Sequence, residues 1–349
     1  MKKFVILCAL LVFGIKLFGQ QTTVDTLYQG DYQEAEKIYN EGIKLYNSKD
    51  LTGAINKFDE AIRKKPDFEK AYFNRGSVNL ELNKFTEAIP DFTKSIELKA
   101  SALAYFSRGK ARFEIKDQEN ALSDFDDAIK LDPKYAQAYY YRGEVYFEKN
   151  EFQKALDDFD AAIKYKPDYA YAYNDRGSAK VKLEKYEEAK ADYLMASKLS
   201  PGMAFIYNNM GSLKKKINDF KGAIEEYTAA VKIKPDYYIA FNNRGTAYFE
   251  LEDYQSAIKD YDQAIKIKPD YYYAYNNRAN AKYKLKDYDG ALADYSKAIE
   301  LNPNYGYAYL NRGITYEMLK KPVNSCEDWK KATTLGISTA ETYYKTQCK

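Results

Sequence analysis

Three kinds of residue recur along this chain at spacings that could do chemistry. Asn209, Asn243, Asn277 and Asn311 stand 34 residues apart, Asn40 and Asn74 keep the same step, and Asn242 and Asn276 each precede a member of the row. A primary amide offers a donor and an acceptor together, the complement of a peptide group's C=O and N–H. Tyrosines are the second kind, 37 in 349 residues. The stretch PDYYYAYNNR (269–278) packs four of them beside two asparagines, and Tyr140, Tyr171, Tyr273 and Tyr307 fall near the amide rows. The third kind is a charge pair, Arg75 with Asp91, Arg142 with Asp158 or Arg278 with Asp294, always 16 residues apart. Catalytic chemistry has little to work with. Histidine is absent, which removes the commonest acid/base catalyst at neutral pH and a usual zinc ligand. No nucleophile elbow, phosphate loop or metal-spaced cluster occurs, so no catalytic residue, cofactor site or metal site is expected.

The spacing belongs to the whole chain. Arg-Gly pairs recur from Arg75-Gly76 to Arg312-Gly313, and prolines march from Pro133 to Pro303 with a period of 34. A fixed period of this length means stacked structural repeats. Nine repeats start at Ala35, Glu69, Ala102, Ala136, Ala170, Ala204, Tyr238, Tyr272 and Gly306. Position 8 is glycine in all but one, position 20 is alanine in all but the last, and position 24 is always aromatic, from Phe58 to Trp329. Positions 4, 8 and 14 form one helical stripe and 20, 24 and 27 another. The proline at position 32 stops the second run. Each repeat therefore reads as two antiparallel helices, brought close by small residues at positions 8 and 20. Tyr275, at position 4, is expected in the core.

This pattern resembles the tetratricopeptide repeat family over residues 35–339. The resemblance implies an all-α protein, an α-solenoid superhelix of about nine two-helix repeats of 34 residues (35–68, 69–101, 102–135, 136–169, 170–203, 204–237, 238–271, 272–305 and 306–339). It also implies a concave groove lined by first helices, with positions 2, 5, 6, 9, 12 and 13 toward it. The asparagines at position 6 then resemble a ladder that holds an extended peptide by its backbone. On that reading the groove set is Asn40, Asn74, Tyr140, Tyr171, Asn209, Asn242, Asn243, Tyr273, Asn276, Asn277, Tyr307 and Asn311. The implied function is a protein–protein interaction scaffold, and aromatic-plus-amide surfaces leave cell-surface polysaccharide as the alternative partner. No three consecutive repeats supply the lysine–asparagine clamp of the family's chaperone-tail binders. Position 13 mixes Glu81, Glu114, Glu148 and Glu250 with Lys182, Lys216 and Lys284, so no continuous basic track suits nucleic acid.

Position 7 and position 23 change sign together. Seven repeats have Arg and Asp, whereas repeat one has Glu41 and Lys57. That concerted reversal predicts a bridge inside each repeat, helix to helix. At the N-terminus, MKK and the apolar run FVILCALLVFGI (4–15) read as a signal peptide over 1–19, cleaved after Gly19, with a short linker over 20–34. The run is too short to span a bilayer, which needs about 20 residues. Without Lys2, Lys3 and Lys16 the basic count equals the 51 acids, so no net charge remains. The mature chain is expected without a stable membrane span, periplasmic or secreted. A final capping tail is expected over 340–349. Cys326 lies ten residues before Gly336 and Cys348 twelve after it, so a turn at Gly336 would bring the thiols level and favour a disulfide in an oxidising compartment.

Overall fold

A computed structural model describes residues 32–348, and every element among them is a helix. Helix α1 covers 32–47. The second helix of repeat one is α2 (Leu51–Lys64). Pairs follow in strict alternation: α3 (Glu69–Glu81) with α4 (Phe85–Leu98), α5 (Ala102–Glu114) with α6 (Gln118–Leu131), and α7 (Ala136–Glu148) with α8 (Phe152–Tyr165). Then come α9 (Ala170–Lys182) with α10 (Tyr186–Leu199), α11 (Ala204–Lys216) with α12 (Phe220–Ile233), and α13 (Tyr238–Glu250) with α14 (Tyr254–Ile267). The chain ends with α15 (Tyr272–Lys284) and α16 (Tyr288–Leu301), α17 (Gly306–Met318) and α18 (Pro322–Thr334), and α19 (Ser338–Gln347). The chain divides into two compact halves after Pro167. Inside each half a second helix packs on the next first helix, and first helices of successive repeats also touch.

Local chemistry sets these boundaries. Asp219, Asp253 and Asp287 at position 16 cap second helices by accepting from the backbone N–H three residues on, at 2.9–3.1 Å. The turn between the helices of each repeat places position 15 in the left-handed region, from Lys49 (φ 67°) to Lys320 (φ 55°). Lysine, glutamate and asparagine hold that place instead of glycine, so the sequence carried no glycine signal for it. The glycine at position 8 has a packing reason. A Cβ on Gly42 would lie 2.7 Å from the Phe58 ring, and one on Gly211 would lie 2.7 Å from the Tyr227 ring.

The core corrects the expected stripe. Position 14 caps the first helix and lies at the margin of the core: Ile115, Ile217, Leu251 and Leu285 are exposed, Leu183 and Leu319 half-buried, and Leu82 packs on the Phe58 cluster. Position 10 takes its place, with Val78, Ala111, Val145, Ala179, Leu213, Ala247, Ala281 and Thr315 buried. Tyr275 is half-buried rather than core. Its hydroxyl donates to the Pro269 carbonyl at 3.2 Å and its ring lies under the Arg278 guanidinium. Residues 32–34 belong to α1, not to a linker: Glu34 pairs with Lys64 at 3.0 Å, and Lys65 lies over the Tyr32 ring. The final capping helix starts at Ser338, directly after Ile337, and so takes in the last two residues counted with repeat nine. Pro322 does not disrupt repeat nine, since it sits at the first turn of α18, where its missing N–H has no partner to lose. The signal segment 1–19 lies outside the described residues.

In the seven repeats with Arg at position 7 and Asp at position 23 the charge pair forms inside the repeat as a two-pronged fork, whereas repeat six has Met210 at position 7 and pairs Glu226 with Lys214 instead. Arg142 Nε donates to Asp158 Oδ2 at 2.8 Å and Nη2 donates to Oδ1 at 2.6 Å, and the same geometry holds Arg244 to Asp260 and Arg312 to Asp328. Lys57 and Glu41 make the reversed pair at 2.9 Å. The third nitrogen reaches position 25 of the preceding repeat: Arg278 Nη1 donates to Asp262, Arg244 to Thr228 and Arg312 to Ser296. The arginine thus fixes both the angle within a repeat and the step to its neighbour.

Candidate functional site

The first-helix face of the C-terminal half carries the asparagine rows. Position 5 there is buried: Asn174 and Asn276 are 3% exposed, Asn242 6% and Asn208 7%. Each carbonyl oxygen accepts from the position-6 amide of the next repeat, Asn209 to Asn174, Asn243 to Asn208 and Asn277 to Asn242, all at 3.0 Å, and Asn311 to Asn276 at 3.5 Å. The ladder is therefore first a joint between repeats. Asn242 and Asn276 are corrections to the groove set, because buried amides with protein partners are not offered to a ligand. Tyr140 is a third correction. It is 8% exposed, with its ring against Phe159 and Tyr141.

Position 6 is the layer above. Asn209, Asn243, Asn277 and Asn311 are half-buried. Among the described residues no protein donor reaches Asn209 Oδ1 or Asn243 Oδ1. In the N-terminal half Asn40 is exposed, and Asn74 donates to the Tyr39 hydroxyl at 2.7 Å and to the Lys70 carbonyl at 2.9 Å. Tyr171, Tyr273 and Tyr307, at position 2, are 44%, 41% and 55% exposed. The Tyr171 ring stacks on Phe205 at 5.7 Å.

Under the ladder lies a second polar layer that sequence reasoning missed. The position-24 tyrosines meet position 9: Tyr193 with Ser178 and Tyr227 with Ser212 at 3.1 Å, and Tyr295 with Asn280 at 2.6 Å. Burial pushes the Tyr193 and Tyr227 hydroxyls up to about 12. The signal was present, since Ser, Ser, Thr and Asn at position 9 accompany Tyr at position 24 in repeats five to eight. At the C-terminal end Cys326 and Cys348 are joined in a disulfide with Cα atoms 5.6 Å apart, tying α19 to α18. Among the described residues no cluster of metal-ligating side chains occurs, and no helix is long and apolar enough to cross a membrane.

Tetratricopeptide repeat profiles match residues 39–104, 106–170, 145–204, 238–271, 272–305 and 295–327, and a TPR repeat profile matches 211–251. The chain belongs to the tetratricopeptide repeat family. Protein STIP1 homolog of Dictyostelium discoideum is 39% identical over 67 residues, 19% of this chain and 12% of that protein. DnaJ homolog subfamily C member 3 of Bos taurus is 38% identical over 80 residues, 22% of this chain and 16% of that protein. The matches thus span less than a fifth of either relative's own length. Among solved structures, the APC/C hetero-tetramer Cut9–Hcn1 superposes with a TM-score of 0.59 at 16% identity, covering 90% of this chain and 76% of that one. Yeast Tom70 gives 0.51 at 16% identity, covering 96% and 95%. At such identities these structures speak for the fold alone.

Proposed function

We propose that this protein is an extracytoplasmic interaction scaffold that binds an extended peptide or protein segment along the first-helix face of its C-terminal half. The observation that carries the reading is the row of half-buried amides at Asn209, Asn243, Asn277 and Asn311, one per repeat, with carbonyl oxygens at Asn209 and Asn243 that no donor among the described residues reaches. Such a row contacts the backbone, which all peptides share, so binding would tolerate many sequences. The basic start with its apolar run supports export, and the Cys326–Cys348 bond supports an oxidising compartment. The exposed tyrosines at 171, 273 and 307 favour one second reading, a cell-surface polysaccharide stacked on aromatic faces. A peptide array set against a glycan array separates the two. Asn243→Ala with Asn277→Ala should abolish peptide capture and leave glycan capture intact. Glycan capture alone, or peptide capture indifferent to the asparagines, would refute the first reading.

A further inference from the structure

We infer that tyrosines at the N-terminal edge of the first helices in repeats seven to nine form slots for a proline-rich segment of the partner, held as a polyproline II helix. This rests on the reading of that face as peptide-binding and adds the class of peptide. Tyr305 lies between two exposed rings, 5.3 Å from Tyr273 and 6.0 Å from Tyr307. Tyr271 stands between the half-buried Tyr238 at 4.9 Å and the exposed Tyr273 at 5.6 Å. Repeat eight supplies both a recessed tyrosine as floor, Tyr305, and an exposed one as wall, Tyr273; repeat seven adds the floor Tyr271 and repeat nine the wall Tyr307. Tyr237 holds the floor position one repeat earlier, in a cavity shared with Met203 and Phe205.

The step between slots selects the ligand. Floors Tyr271 and Tyr305 share the wall Tyr273, at 5.6 and 5.3 Å, so the step between slots is at most about 11 Å, in keeping with packed helix axes about 8–10 Å apart. One turn of polyproline II, three residues at about 3.1 Å each, advances about 9 Å. Every third residue therefore meets the next slot in register. A β-strand repeats its side chains every two residues, about 6.7 Å, and falls out of step. The slot rings are tilted by 55–75° to one another, which suits a ridged proline helix better than a flat sugar face. Polyproline II leaves its carbonyls without internal partners. The Tyr271 and Tyr305 hydroxyls have no hydrogen-bond partner among the described residues. Burial pushes both up to about 12, so they remain donors at neutral pH. The charge at the rim is already matched, Lys268 to Asp270 at 2.8 Å, which suits an uncharged segment.

The test titrates the full mature chain with decaproline, with a ten-residue Gly/Ser/Thr peptide and with cellohexaose. Decaproline should bind more tightly than the Gly/Ser/Thr peptide, which has only the asparagine row to hold it, and cellohexaose should not bind; equal affinity for the two peptides would overturn the slots. Tyr273→Ala and Tyr307→Ala should each weaken binding roughly tenfold. Tyr305→Phe, which keeps the ring and removes the donor, should weaken it a few-fold with unchanged thermal unfolding. Decaproline binding that ignores all three variants would overturn the inference, as would tyrosine-dependent cellohexaose binding. Failure of decaproline while other peptides bind in an Asn243- and Asn277-dependent way would overturn the slots and leave the groove reading standing. Failure of every peptide would remove both.

Discussion

The two halves of the chain solve the same packing problem with different chemistry. In the N-terminal half position 24 is Phe58, Phe92, Phe125 and Phe159, and each ring touches an aromatic at position 5, Tyr39, Phe73, Phe106 and Tyr140, at 5.6–6.0 Å between centroids. In the C-terminal half position 24 is tyrosine in four repeats and position 5 is asparagine. There the hydroxyls go to position 9 and the amides pass hydrogen bonds from repeat to repeat. The glycine–alanine approach and the Arg–Asp fork occur in both halves. The backbone of a repeat is thus set by small residues and the fork, while the joint can be either apolar or hydrogen-bonded. The hydrogen-bonded version also leaves amides on the first-helix face, where a ligand can reach them.

Alkaline pH should separate the halves most strongly. Tyr193 and Tyr227 are held at about 12, whereas an unfolded tyrosine ionises near 10. Their folded values are raised, so their contribution is complete below about pH 10 and is lost as pH rises toward 12. A shift of two units on each amounts to about 5 kcal/mol between them. Tyr261 and Tyr295 are raised further, by the same burial. The N-terminal half has Tyr135 at about 12, and phenylalanine at position 24 cannot ionise. Urea unfolding followed by Trp329 fluorescence should therefore collapse between pH 10 and 12 ahead of much of the far-UV circular dichroism. Phenylalanine at 193, 227, 261 and 295 should remove that lag. If wild type and the fourfold variant lose stability in parallel, lysine deprotonation dominates and the comparison fails.

The fork should look uniform and respond unevenly. Asp158→Ala leaves Arg142 with a second acid, Asp126, but Asp260→Ala leaves Arg244 with only the neutral Thr228 hydroxyl. An orphaned, mostly buried guanidinium costs about 4 kcal/mol, and the backed-up one about 2. Equal losses in urea unfolding would mean that the bridge to the preceding repeat carries no weight.

The sequence revealed repeats well and surfaces poorly, for a physical reason. Gly42 and Phe58 must meet in any version of this fold, so small and aromatic positions show as a period. The fork was legible because Glu41 and Lys57 reverse it together. Exposure is another matter. Tyr140 and Tyr171 lie on first helices at positions 5 and 2, three steps along the helix, and only packing decides that one is buried and the other exposed. Asn242 and Asn243 are adjacent and chemically identical, yet Asn242 is buried and accepts from the next repeat, whereas Asn243 donates to the preceding one and stays half-buried. The pairing of position 9 with position 24 was readable but needed the knowledge that the two meet.

That pairing gives a graded test. Phe58 lies in the position-8 contact of repeat one, where position 9 is Ile43. Phe58→Tyr adds a buried hydroxyl with no acceptor at that place, a cost of about 2 kcal/mol. Ile43→Ser in the same chain should recover about half of it, by supplying the partner that Ser178 gives Tyr193. Trp329 is the natural example of the gap: its Nε1 is buried with no acceptor, and its position 9 is Ile314. No recovery by Ile43→Ser in thermal unfolding would show that position 9 does not govern the choice between phenylalanine and tyrosine.

The smallest effect should distinguish the joint from the site. Asn242→Ala removes the acceptor of Asn277, and Asn277, being half-buried, can turn to water, so the loss should be near 1 kcal/mol. Tyr39→Phe removes the corresponding acceptor of Asn74 in the N-terminal half. Asn74 keeps the Lys70 carbonyl, so that loss should be about half as large. A double-mutant cycle on Asn242 and Asn277 should show coupling in stability. Asn243, whose carbonyl oxygen no donor among the described residues reaches, should contribute to ligand binding beyond its share in the ladder. If Asn243→Ala and Asn242→Ala change peptide affinity equally, the ladder acts only through rigidity, and the outward amides have no direct part in recognition.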